Sequence, residues 1–169
     1  MPIDTAVLRM LALDAAAAEA ITALRAAAVE PLLLKGPAIA RWLYDDPSQR
    51  PYNDVDLLVP LADRTTAARV LADLGYEEVF AGMRASERSV HAVTLRRAHP
   101  LPVSIDLHHR FHMIGGDPYA VLGEGHRTIE VSGVDAHVPG DAVLAVIVAL
   151  HAAQHGPAVP KPVEDLSRA

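Results

Sequence analysis

Apolar positions along the chain change their spacing repeatedly, and each change marks an element. Residues 5–28 carry Leu8, Leu11, Ala15, Ala18, Ile21 and Leu24 at helical intervals behind Asp4 or Thr5 as a cap, which predicts a long packing helix. Pro31-Leu32-Leu33-Leu34 is a short apolar run, read as a buried strand and broken by Lys35-Gly36-Pro37. Residues 38–44 then form a helix with Pro37 well placed in its first turn, and Asp45-Asp46-Pro47-Ser48 is a loop. Val55, Leu57, Leu58 and Val59 make a second buried strand that Pro60 ends. Residues 61–74 read as an amphipathic helix stopped by Gly75, where a left-handed cap is wanted.

Strand patterns follow at residues 76–80, 89–96 and 101–111, with His99-Pro100 in a turn and a break at Gly115-Gly116-Asp117-Pro118. Residues 128–138 give one or two short strands around Gly133, and Pro139-Gly140-Asp141 opens a helix reaching about His155. Residues 156–169 contain three prolines and end on Val163-Glu164-Asp165-Leu166, the look of a helix beginning. The expected class is α+β, a mixed sheet flanked by helices. Residues 1–139 form its core with the N-terminal helix, and residues 140–169 start a helical C-terminal region. A chain that stops there is either truncated or a short form whose cleft a second subunit completes, so an oligomer stays open.

Composition narrows the function. At 169 residues the chain is long enough to bury a core, and its formal net charge of −6 has no basic block, so nucleic acid is an unfavoured partner. With no cysteine there is no thiolate chemistry, disulfide framework or Cys-ligated zinc. The start lacks a basic leader, and the longest apolar run, residues 142–150, is too short to span a bilayer; the expectation is a cytoplasmic protein. Only two lysines occur, Lys35 and Lys161, so a lysine inside a motif is worth noting.

The chemistry gathers at Arg50-Pro51-Tyr52-Asn53-Asp54-Val55-Asp56. On a strand Asp54 and Asp56 project from one face, about 7 Å apart, while Val55 and Leu57 face the other way. Such carboxylates repel unless something positive lies between them, and a divalent ion fills that role. Asp106, inside the strand-like run Val103-Ser104-Ile105-Asp106-Leu107-His108, is the candidate third group. An Asp-x-Asp can equally be a polar strand entrance, so the motif alone decides nothing.

The ordered set resembles the nucleotidyltransferase fold of the DNA polymerase β type: Leu34-Lys35-Gly36-Pro37 for the Gly turn, Asp54-Val55-Asp56 for the paired carboxylates, Ile105-Asp106-Leu107 for the third. Within that superfamily, Leu34-Lys35-Gly36, residues 50–59 and Asp106-Leu107-His108 look like the bacterial uncharacterised nucleotidyltransferase group. Residues 150–155 and Asp165 resemble its next motif. The resemblance implies transfer of a nucleoside monophosphate from an NTP to a hydroxyl of a small molecule or protein. It also implies Asp54, Asp56 and Asp106 as catalytic metal ligands, for two Mg²⁺ ions with Mn²⁺ as a second candidate, since paired ions can stabilise entering and departing oxygens. Lys35, Gly36 and Arg50 would meet the triphosphate, aided by the positive end of the helix after Pro37. One departure stands out: Pro37 replaces the small polar or Gly residue many superfamily members have there, which removes a phosphate contact. The competing class is a non-catalytic or antitoxin-like partner-binding protein on the same fold, and a phosphotransferase or hydrolase is a third.

Other candidates carry bland readings. His108 shares a strand face with Asp106 and serves either the acceptor hydroxyl or a buried cap. His108-His109-x-x-His112 is a poor zinc set, because neighbours on a strand face opposite ways. His151 and His155 lie one helical turn apart and form a polar face toward the substrate side; the Glu of a zinc-protease motif is missing. Trp42 with Tyr44 reads as packing, Asp63, Asp73 and Glu77-Glu78 as surface charge, and Ser86, Ser89 and Ser104 lack a nucleophile elbow.

Overall fold

The computed structural model describes residues 5–79, 92–98, 101–111 and 114–169. The expectations placed on Asp4, Ser86, Ser89, the His99-Pro100 turn and His112 fall outside these residues.

A seven-stranded mixed sheet runs through the molecule in the order β3-β4-β5-β2-β1-β7-β6. Its strands are β1 (Leu32–Leu33), β2 (Val55–Leu58), β3 (Glu77–Glu78), β4 (Ala92–Arg97), β5 (Val103–His108), β6 (Arg127–Val131) and β7 (Val134–Val138). The helices are α1 (Thr5–Ala26), α2 (Pro37–Leu43), α3 (Arg64–Asp73), α4 (Pro118–Leu122), α5 (Asp141–His155) and α6 (Pro160–Arg168). β2 is antiparallel to β1 and parallel to β5. Every residue of β2 is buried. That suits a central strand with both faces covered.

Alternation splits the strand residues between two apolar clusters. Leu33, Val55, Leu57, Ile105, Leu107, Ala136 and Val138 join α1 and α3 on one face. Leu32, Leu34 and Leu58 join Leu122 of α4 and Ile147 of α5 on the other. Residues of the same parity as Leu58, namely Asp56 in β2 and its cross-strand neighbours Asp106 and His108, share this second face. The fold therefore delivers the carboxylates to the sheet face on which α4 and α5 pack.

The structure departs from the expectations at three points. In α1 the first half of the apolar stripe was phased wrongly: Leu8 and Leu11 are 43% and 59% exposed, while Met10, Leu13, Ala17 and Ala20 are buried. A helix this rich in alanine has apolar side chains all round, so spacing does not set its phase. The break at residues 115–118 leads into a short helix that the spacing did not predict, α4, whose Asp117 side chain accepts from the Tyr119 N–H at 3.0 Å with Pro118 at its start. α6 begins at Pro160 rather than near Val163.

No helix among the described residues is long and apolar enough to cross a membrane.

Candidate active site

Asp56 and Asp106 are direct partners in the parallel β2–β5 register. Their side chains leave the same sheet face roughly 4.8 Å apart, the spacing of neighbouring strands. Asp54 stands one residue before β2, on the parity of Asp56. Leu58 pairs with His108, which brings that imidazole to the same face. One carboxylate oxygen each from Asp56 and Asp106 and one ring nitrogen of His108 lie within 4.8 Å of one another.

A lysine already occupies this anionic surface. Lys35 Nζ lies 2.7 Å from Asp56 Oδ1. His108 Nε2 donates to the same oxygen at 2.9 Å. Burial by itself would drive the Asp56 carboxyl up, but Lys35 and His108 outweigh it and hold it below the usual carboxylate range. Asp54 moves the opposite way: burial raises it, and repulsion from Asp56 and Asp106 adds to that against the pull of Lys35 and Lys161. Burial disfavours the Lys35 ammonium, yet Asp56, then Asp54 and Asp106, more than restore it, and its pKa is raised. The site thus holds more negative charge than its lysine neutralises.

Gly36 is required at the turn between β1 and α2. Its φ is +58°, and a Cβ there would sit 2.9 Å from the Asp54 carbonyl oxygen. The turn and the Asp-x-Asp segment are also tied by the Leu34 N–H, which donates to the Asp56 carbonyl at 2.9 Å. The Ala38 N–H, in the first turn of α2, donates to the Lys35 carbonyl at 3.2 Å.

Arg50 is brought to the Gly36 turn with its guanidinium engaged by Asp165. Its guanidinium donates to Asp165 through Nε at 2.8 Å and Nη2 at 2.6 Å, and through Nη1 to the Gly36 carbonyl at 3.4 Å. Both partners are buried, and Tyr44 Oη donates to Asp165 at 2.9 Å. This arrangement makes Arg50 a positioning residue that fastens α6 against the Gly36 turn. Burial and the Asp165 carboxylate push the Tyr44 hydroxyl up to about 12.

The sequence reading assigned no role to Lys161, although it is one of only two lysines. In the first turn of α6 its Nζ donates to the Pro51 carbonyl, and it sits in the field of Arg50, Asp165, Asp54 and Asp56. Burial and Arg50 lower its pKa. The signal that could have found it was Pro160, a helix-start residue placing Lys161 four positions before Asp165.

His151 of α5 also faces the centre. Burial, then Lys35, His155 and Arg50, bring its pKa down to about 4, so it is a neutral imidazole at neutral pH. His155 meets its ring edge-on at 4.6 Å and is exposed. A separate cleft of about 320 Å³, lined by Leu32, Tyr119, Gly123, Glu124, His126 and His137, does not include Asp54, Asp56 or Asp106.

Residues 3–164 match the family model described as uncharacterised nucleotidyltransferase. No curated protein matches the chain in sequence. Among solved structures, the antibiotic-resistance factor ANT(2'')-Ia in solution aligns with TM-score 0.64 at 14% identity, over 98% of this chain and 83% of that one. The crystal structure of ANT(2'')-Ia with adenylyl-2''-tobramycin gives TM-score 0.61 at 15% identity, over 91% and 85%. An antigenic nucleotidyltransferase-like protein from Paracoccidioides brasiliensis gives 0.57 at 14% identity, over 99% and 77%. The likeness shows a shared fold, and the chain belongs to the uncharacterised nucleotidyltransferase family.

Proposed function

We propose that this family member is a divalent-metal-dependent enzyme moving a nucleoside monophosphate from an NTP to a hydroxyl, with a small molecule as the first acceptor class to test. The observation that carries the reading is the in-register pair Asp56–Asp106 with Asp54 two residues upstream, three carboxylates on one sheet face. A protein that only bound a partner would have no use for like charges kept this close, since their repulsion costs stability.

The donor set fits hard cations. Carboxylate oxygens suit Mg²⁺ and Mn²⁺, and the raised Asp54 reports negative charge that Lys35 leaves unneutralised. Asp54, Asp56 and Asp106 would hold the ions, with His108 beside them. Bound there, divalent ions supply charge neutralisation on the phosphates and a lowered pKa for the attacking hydroxyl.

The chain's own groups do the rest. Lys35, next to the Gly36 turn, presents an ammonium to the incoming triphosphate, and Lys161 offers a second from the α6 side. Arg50 acts through Asp165 by keeping α6 seated. His151, with a pKa of about 4, is too weak a base to remove a hydroxyl proton at neutral pH; as a neutral imidazole it orients an acceptor hydroxyl by hydrogen bonding.

ANT(2'')-Ia was crystallised with adenylyl-2''-tobramycin, which makes aminoglycosides a reasonable first panel. The test is incubation with each NTP, labelled at the α-phosphate, plus Mg²⁺ and a panel of hydroxyl compounds and proteins. Label moving to an acceptor with release of pyrophosphate, and lost in Asp56→Asn, supports the reading. Acceptor-independent release of orthophosphate would replace it with a hydrolase.

A further inference from the structure

The Lys35 ammonium occupies the very carboxylate a metal ion would need. Its Nζ is 2.7 Å from Asp56 Oδ1, at a site where Asp56, Asp106 and His108 offer ligand atoms within 4.8 Å of one another. Asp56 is almost completely buried, with a side-chain exposure of 3%, so no bulk water replaces a lost counter-ion there. A divalent ion arriving at that oxygen would meet a cation already in hydrogen-bond contact with it. At such separations two positive charges inside a protein repel strongly.

We infer that Lys35 is an internal counter-ion that competes with the divalent metal for Asp56, so that metal binds well only once a triphosphate gives the lysine another anionic partner. This rests on the metal-dependent reading above and adds to it an order of assembly. The position of the lysine supports it. Lys35 is separated from the end of β1 by Leu34 alone and precedes Gly36, whose φ of +58° starts the turn into α2; Asp56 sits on the adjacent strand, where the Leu34 N–H donates to its carbonyl. The lysine stem is therefore anchored by a strand while its head group is free to exchange anions. A side chain that is one-quarter exposed has the solvent access to do so. Metal and nucleotide then bind with positive coupling, and by reciprocity each raises the affinity of the other. Without nucleotide, the lysine keeps a buried, metal-free Asp56 compensated, which an unpaired carboxylate could not be.

The experiment uses the full chain and Mn²⁺ alone, followed by the loss of the free-ion signal in electron paramagnetic resonance. The variants are Lys35→Met, Lys35→Gln and Lys35→Arg, with circular dichroism melts to identify any that fail to fold. The expected result is that Met or Gln binds Mn²⁺ at least about tenfold more tightly than wild type, while Arg, which keeps the charge, matches wild type. Asp56→Asn in the Lys35→Gln background should abolish the gain. Equal Mn²⁺ affinity in wild type and both neutral variants would overturn the counter-ion role and leave the metal site standing. No Mn²⁺ binding by any folded variant would overturn the counter-ion role and the metal-dependent reading together.

Discussion

Arg50 and Asp165, 115 residues apart in sequence, form a buried two-point ion pair that joins the segment before the carboxylates to the last helix. With both groups almost wholly inside, neither can be removed without stranding the other. Replacing Asp165 with Ala is expected to cost about 3–5 kcal/mol, the range for one half of a buried pair. Denaturant unfolding measures it, and Lys161, seated one turn earlier on α6, should lose its bond to the Pro51 carbonyl in the same variant.

Gly36→Ala tests the join between the turn and the strand. The residue is held at φ +58°, and the added methyl would press on the Asp54 carbonyl at 2.9 Å. A cost of about 1–3 kcal/mol is expected from the backbone conformation alone. Because the clash falls on Asp54, nucleotide affinity should fall further than that of an exposed Gly133→Ala control, whose Cβ would meet nothing within 4 Å.

His151 gives the acid side of the stability profile. Its folded pKa is about 4, below its unfolded value of about 6.5. The unfolded chain therefore takes up a proton that the folded one refuses, and stability falls as pH drops from about 6.5 toward 4. This group contributes a slope of at most about 1.4 kcal/mol per pH unit in that window and nothing above it. Thermal melts at pH 7 and pH 4.5 should show a smaller pH-dependent loss in His151→Gln than in wild type. Equal losses would mean that the imidazole is not kept neutral by its surroundings.

Asp106→Asn should leave the fold intact and remove transfer. Its partner across the sheet, Asp56, keeps Lys35 and His108 as neighbours, so stability should change little. Turnover with any accepted NTP should drop by about 100-fold or more, the scale seen when one electrostatic group is lost from a reacting centre. A variant that keeps more than a tenth of wild-type turnover would remove Asp106 from the reacting centre.

Much of this architecture was legible in the residues because strand parity is a short-range property. Asp54 and Asp56 two apart, and Asp106 and His108 two apart, had to share faces, and only the pairing of β2 with β5 was needed to bring the two sets together. Lys35 was found at the turn, but not its bond to Asp56, which depends on the β1–β2 antiparallel neighbourhood. The resemblance implied a place for Arg50 at the triphosphate, and said nothing of Asp165 as its partner. That partner lies on a helix at the other end of the chain, a long-range pairing that sequence spacing does not encode. The buried Asp14, which accepts from Tyr52 Oη and from Arg41 at 2.7 Å, went unread because an aspartate in an alanine helix looks like a solvated charge. The phase of α1 failed for want of contrast between apolar and polar positions.

The most direct test of the central claim is calorimetric titration of ATP, GTP, CTP and UTP, each with Mg²⁺ and with chelator, into this chain and into the Asp54→Asn/Asp56→Asn double variant. Binding of at least one NTP that needs Mg²⁺ in the wild-type chain and vanishes in the double variant is the expected result. Undiminished binding in the double variant would contradict the assignment of the carboxylates. A folded wild-type chain that binds none of the four would contradict the nucleotide site itself.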